Sequence, residues 1–117
     1  MTERKRLERL TELAEMKRQH DMARLSRLAQ ACDETRARID ALHNTQPPTD
    51  DPAMFAVQQA HRAWANVQRM ALNQTLAQQT ARMLEQRAKT ARSFGRAEAL
   101  SEMSARLRLR QRSTHSP

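Results

Sequence analysis

With 117 residues, one glycine, no tyrosine and 3% aromatic side chains, a single compact core would be thin. Ala, Leu, Arg, Gln and Glu dominate, the profile of long helices or coiled coil, and a two-helix seam needs only a narrow apolar stripe. The net charge is +8, carried by 18 Arg and 3 Lys, and it is uneven: ten basic and eight acidic residues in 1–42, eleven and three in 53–117. A positive field on the second half attracts nucleic acid, anionic lipid or an acidic protein surface, and charge alone does not choose among them.

A single cysteine, Cys32, excludes an intrachain disulfide and a cysteine-based metal cluster. "MTERKRLERL" has no apolar core of a secretory signal, and no run approaches the ~20 apolar residues that span a bilayer. The expectation is a cytoplasmic protein.

The first helix is predicted over 2–43. From Leu25 its apolar positions run Leu25, Leu28, Cys32, Thr35, Ile39, Leu42, alternating by three and four as in a heptad seam. The turn follows at 44–51. Asn44 can adopt the left-handed conformation that closes a helix, and Pro47 and Pro48 forbid continuation. Asp51 before Pro52 is an N-cap followed by proline at the first helical position, with Asp50 adding charge at the positive end of the dipole.

The second helix is predicted over 52–110, longer than the first, with a disordered tail at 113–117 and the whole of 1–112 as one coiled-coil hairpin. Its early apolar positions, Val57, Ala60, Trp64, Val67 and Ala71, again alternate by three and four. The fold class is therefore all-α, a long antiparallel two-helix coiled-coil hairpin. Folding the chain about its turn pairs residues whose numbers sum to roughly 95, as expected of close antiparallel neighbours. Leu28 then meets Val67, Leu25 meets Met70, Trp64 falls opposite Ala31 and Cys32, and Leu10 and Leu7 approach Leu84 and Ala88 respectively. The polar break "KRQHD", Lys17 to Asp21, falls opposite "QTLAQ", Gln74 to Gln78. Beyond about residue 93 the second helix would have no partner, leaving Phe94, Ala97, Leu100, Met103 and Leu107 as an unpaired stripe.

Candidate sites are few. The four histidines make no His-x-x-x-His pair, so a metal centre is not indicated. Cys32 reads as a buried small hydrophobe, without the cationic setting of an activated thiolate. Gly95 lies inside a predicted helix, either as a local weak point or where another backbone approaches or the helix hinges. Glu34–Arg38, Glu85–Lys89 and Glu102–Arg106 are favourably ordered i,i+4 pairs. No paired carboxylates and no pocket point to catalysis, so no enzyme, cofactor or small-molecule substrate is expected. "RLRLRQR", Arg106 to Arg112, is the densest basic run, either a solvated frayed end or a surface for acidic protein or phosphate. The scarcity of aromatic residues argues against single-strand recognition, so any nucleic-acid binding would be sequence-independent. Trp64 reads as core, or, turned outward beside His61, as a partner anchor.

The stretch "LERLTELAEMKRQHDMARLSRLAQA" and the short, basic hairpin with a longer second helix resemble the FliJ/YscO stalk family of flagellar and type III protein export. The resemblance covers most of the chain. It implies a non-enzymatic stalk whose helix ends insert in a hexameric export ATPase and whose body contacts the export gate, near the membrane only through that apparatus. By position it assigns Arg4, Lys5, Arg6, Leu100, Met103, Arg106, Leu107, Arg108 and Arg110 to the ATPase ring, and His61 and Trp64 to the gate. This chain is shorter than the flagellar members, and its second helix is poorer in acidic residues. The alternatives are a basic, sequence-independent nucleic-acid-associated protein, and a general coiled-coil adaptor that dimerises through the unpaired stripe.

Overall fold

The computed structural model describes residues 2–43 and 46–115. Two α-helices account for nearly all of them: α1, Glu3–Ala41, of 39 residues, and α2, Pro52–His115, of 64 residues. The expected antiparallel helical hairpin with a longer second helix is what forms.

The helix boundaries follow from local chemistry. Thr2 starts α1: its hydroxyl accepts the Lys5 N–H at 3.4 Å and its carbonyl accepts the Arg6 N–H at 3.2 Å. At the other end the ladder tightens, with Leu42 N–H donating to Ile39 and His43 N–H to Asp40, so α1 stops at Ala41. The proposed closing residue Asn44 lies outside the described residues. Asp51 caps α2 as its sequence predicts, accepting the Ala53 N–H on Oδ1 at 3.1 Å with Pro52 as the first helical residue. α2 runs five residues past the expected end, to His115. The expected disordered tail is helical at Ser113 and Thr114, whose hydroxyls donate to the Arg110 carbonyl.

The chain packs as two compact units. Unit 1 comprises Met1–Arg27 with Leu84–Pro117, and unit 2 comprises Leu28–Met83. In unit 1 the inward positions of α1 are Leu7, Thr11, Ala14, Arg18, Asp21 and Leu25, an unbroken heptad alternation. The stretch expected to interrupt the seam belongs to it. Facing it on α2 are Thr90, Ser93, Ala97, Leu100, Ser104 and Leu107. Thr11 and Ser104 hydroxyls lie 3.2 Å apart, the Ser93 hydroxyl donates to the Asp21 carboxylate, and the Arg18 guanidinium sits 5.3 Å from the Phe94 ring centre. The segment beyond residue 93 is therefore paired with the first half of α1, which corrects the expected overhang.

Unit 2 pairs Leu28, Cys32, Thr35 and Ile39 of α1 with Leu72, Leu76, Gln79 and Met83 of α2. The Thr35 hydroxyl donates to Gln79 Oε1 at 2.6 Å. Cys32 is fully buried, as expected of a small hydrophobe. In both units the numbers of hydrogen-bonded partners across the hairpin add to about 114, so the pairing at roughly 95 is corrected. Leu7 meets Met103 and Leu107 around one groove, while Leu10 and Leu84 are exposed.

The linker supplies the reason. Ten residues separate Ala41 from Pro52, and the Gln58 side chain donates to the Pro47 carbonyl at 3.2 Å, placing linker chain against the side of α2. Extended chain advances up to ~3.3 Å per residue and helix 1.5 Å, so a linker laid along a helix uses up about twice its own number of helical residues. The unpaired part of the long helix thus lies at its start. Pro47 lies against Gln58, and Leu42 and His43 line a groove with His61, Ala65 and Arg69, so described linker residues flank this stretch of α2 where the sequence expected α1.

The seam of early α2 is Gln58, His61, Ala65 and Gln68, with Gln58 and Ala65 buried. The expected seam of Val57, Ala60, Trp64, Val67 and Ala71 is one residue out of phase and exposed, with Trp64 at 53%.

The polar layer of unit 1 centres on Asp21, only 3% exposed. One carboxylate oxygen accepts from Ser93; the other faces Lys17 Nζ at 3.3 Å and His20 Nδ1 at 3.5 Å. The Asp21 carbonyl accepts from Gln86 Nε2 at 3.3 Å and the Thr90 hydroxyl at 3.2 Å. The Ser93 hydrogen bond chiefly lowers the Asp21 carboxyl to about 2 from 3.8; burial opposes the shift, and Lys17 and His20 assist it. A depressed folded-state value stabilises the fold above the unfolded value, and that stabilisation is lost as pH falls from about 4 towards 2. Melting temperatures followed by circular dichroism should separate wild type from Asp21→Asn at pH 6, and the gap should close as pH approaches 2. A gap independent of pH would mean that the ionised carboxylate contributes nothing.

Gly95 faces open space: a Cβ built there meets no atom within 4 Å, and α2 passes through it without positive φ. Within the described chain no other backbone approaches it closely. Gly95→Ala should stabilise the protein by about 1 kcal/mol through helix propensity, raising the melting temperature by roughly 4 °C. A fall in melting temperature would contradict this.

Candidate functional site

The residues assigned by position to an ATPase ring gather at one end of unit 1. Leu7 and Leu107 form the apolar layer, both half-buried. A groove of about 240 Å³ is lined by Glu3, Leu7, Met103, Arg106, Leu107 and Arg110. A much smaller one is lined by Arg4, Leu7, Glu8, Ser104, Leu107, Arg108 and Gln111. Arginines therefore line both grooves beside the layer. Arg4 is partly engaged by Glu8 at 3.2 Å, with both side chains more than half exposed, so the pair contributes little to stability. Leu100 lies on the seam one heptad earlier, and Met103 is 52% exposed. Lys5 and Arg6 are exposed and line neither groove.

Charge sets the character of this end. Residues 3–10 and 104–112 carry eight basic side chains against the two carboxylates Glu3 and Glu8. Bringing the two stretches together sums their fields over one surface. An apolar strip rimmed by guanidinium groups suits a surface with acidic groups around apolar ones, because arginine forms bidentate bonds to carboxylates and sheds water more readily than lysine.

Further along unit 1, Glu15, Arg18, Phe94, Ala97, Glu98 and Ser101 line a third groove. Glu15 accepts from Arg18 Nε at 3.0 and 3.1 Å; this hydrogen bonding holds the Glu15 carboxyl below its ordinary value and raises Arg18 above its own. Arg18 is thus committed to Glu15 and Phe94. The ion pairs among the described residues are Glu15–Arg18, Arg4–Glu8, Lys17–Asp21 and Asp33–Arg36, with the His20 ring beside the Asp21 carboxylate; the expected Glu34–Arg38, Glu85–Lys89 and Glu102–Arg106 pairs do not close.

The two residues assigned to a gate are in unit 2. His61 is a half-buried seam residue, and its ring centre lies 5.7 Å from that of Trp64, which points outward. Of the two readings of Trp64, core or outward beside His61, the second is the one that forms. His61 also lines a groove of about 270 Å³ with Leu42, His43, Arg62, Ala65, Asn66 and Arg69. Arg69 donates to Asn66 Oδ1 at 3.1 Å, and its buried Nε has no partner.

No group of three or more His, Cys, Asp or Glu among the described residues could hold a metal ion, and no described helix is long and apolar enough to cross a membrane. Residue-by-residue reading missed the Asp21 layer, although "KRQHD" was visible as a break; the signal was that Arg18 and Asp21 keep the heptad phase of Leu25 and Leu28. No protein-family model, no curated protein and no solved structure matches this chain.

Proposed function

We propose that this chain is a non-enzymatic coiled-coil stalk of a flagellar or type III protein export apparatus, docking its paired helix ends into the export ATPase ring. The observation that carries the reading is the arginine-rimmed Leu7–Leu107 layer, with Arg4 and Arg108 lining one groove and Arg106 and Arg110 the other. The docking element is a two-helix end, not the lone helix expected from the sequence. Arginines reach acidic groups of the ring while Met103 and Leu107 bury apolar area. In the same reading exposed Trp64, with His61 beside it, meets the export gate.

Deleting residues 94–117 would strip α1 of its partner along with the docking face, so a charge variant is the cleaner probe. In sedimentation velocity at physiological salt, the full chain should co-sediment with the export ATPase of the same organism. Arg106→Ala/Arg108→Ala/Arg110→Ala should keep its helical circular dichroism and bind at least about tenfold more weakly, a loss of ~1.4 kcal/mol or more. Equal binding by the variant, or no binding by the full chain, would overturn the reading. If the chain instead binds duplex DNA of any sequence, with affinity falling steeply with salt, the basic end serves phosphate.

A further inference from the structure

α2 carries two heptad stripes in unit 2, offset by one residue. The first, through Gln58, His61, Ala65, Gln68 and Leu72, is the intramolecular seam. The second immediately precedes it at every position: Val57, Ala60, Trp64, Val67 and Ala71, with Ala53 extending it backward. One residue is 100° of helix, so the second stripe looks away from the linker and α1. All six of its residues are exposed, with Val57 at 62% and Val67 at 64%. This is the more apolar of the two stripes, yet it is the one left uncovered.

We infer that this face pairs, antiparallel and about a two-fold axis, with the same face of a second copy of the chain. A two-fold contact must be complementary to its own reverse, and in antiparallel coiled coils a positions meet d positions. Laying the stripe against its reverse about a point between Ala60 and Trp64 meets both conditions. Val57 faces Val67 of the second copy, Ala53 faces Ala71, and Trp64 faces Ala60. Each bulky indole meets a methyl group, and every layer is apolar.

Charge agrees. From Pro52 to Leu72 the only charged residues are Arg62 and Arg69, and both line the groove on the other side of the seam. In a chain of net charge +8, this is the face on which two copies approach without facing arginines. The six layers run along about 27 Å of helix and bury on the order of 1,000 Å² in total, the low end for a specific interface. The pair is therefore reversible and separates on dilution. The inference stands apart from the stalk reading, except that self-pairing and a gate contact through Trp64 would compete for one face.

The test uses the full chain alone. Sedimentation equilibrium from low micromolar to several hundred micromolar should show a monomer–dimer equilibrium, and the emission of the single tryptophan should shift to the blue over the same range. Trp64→Ala should weaken the dimer at least about tenfold with unchanged helical circular dichroism. The exchange Ala60→Trp/Trp64→Ala, which turns the indole–methyl layer around, should restore pairing. A strictly monomeric mass at the highest concentration would overturn the inference and leave the face to a different protein. So would a dimer that ignores Trp64→Ala, or an exchange variant no tighter than the single one.

Discussion

An extended residue advances more than twice as far as a helical one, and the rest of this hairpin depends on that difference. Were the connection a tight turn, the start of α2 would lie against the end of α1, and the last part of α2 would project alone. Because Pro47 lies against Gln58, the chain instead travels along α2 before α1 is met. The pairing moves by about nineteen residues, or some five helical turns. The long helix is then flanked at its start by linker and at its end by the first half of α1. Both the basic end with its two grooves and the exposed Trp64 follow from this shift.

The seam that results is more polar than most coiled coils. Asp21, Thr90 and Ser93 occupy unit 1 positions where aliphatic side chains usually sit, and Thr35 bonds Gln79 in unit 2. Such layers are poor sources of hydrophobic stabilisation and strong sources of register. A slip by one heptad would leave the Asp21 carboxylate without the Ser93 hydroxyl, and the Gln86 and Thr90 side chains without the Asp21 carbonyl. Buried polar groups stripped of partners are costly, so the layer penalises each alternative alignment.

Helix boundaries were legible because they rest on neighbours in sequence: Asp51 and Pro52 announce α2, and the prolines announce the break. The α1 seam was legible from Leu25 onward because Leu25, Leu28, Cys32 and Ile39 keep one phase. The α2 seam was not, because Val57, Ala60, Trp64 and Val67 form a better apolar heptad than Gln58, His61, Ala65 and Gln68. Periodicity finds stripes; it does not say which stripe faces the same chain. The choice was made by linker geometry, a non-local quantity that composition does not reveal. The residues grouped at the basic end lie together for a different reason from the one expected. Arg106, Leu107 and Arg110 come together with Leu7 because α2 is paired there, not because it projects.

The central claim is the register, and an engineered disulfide reads it directly. On a Cys32→Ala background, Thr11→Cys/Ser104→Cys joins positions whose hydroxyls lie 3.2 Å apart, a separation compatible with disulfide geometry. Thr11→Cys/Leu84→Cys joins positions that only a tight-turn hairpin would bring together. Under mild oxidation the first pair should close an intrachain bond, identified by mass spectrometry of the linked peptides, and the second should stay reduced. Closure of the second pair, or failure of the first with helical circular dichroism intact, would contradict the account.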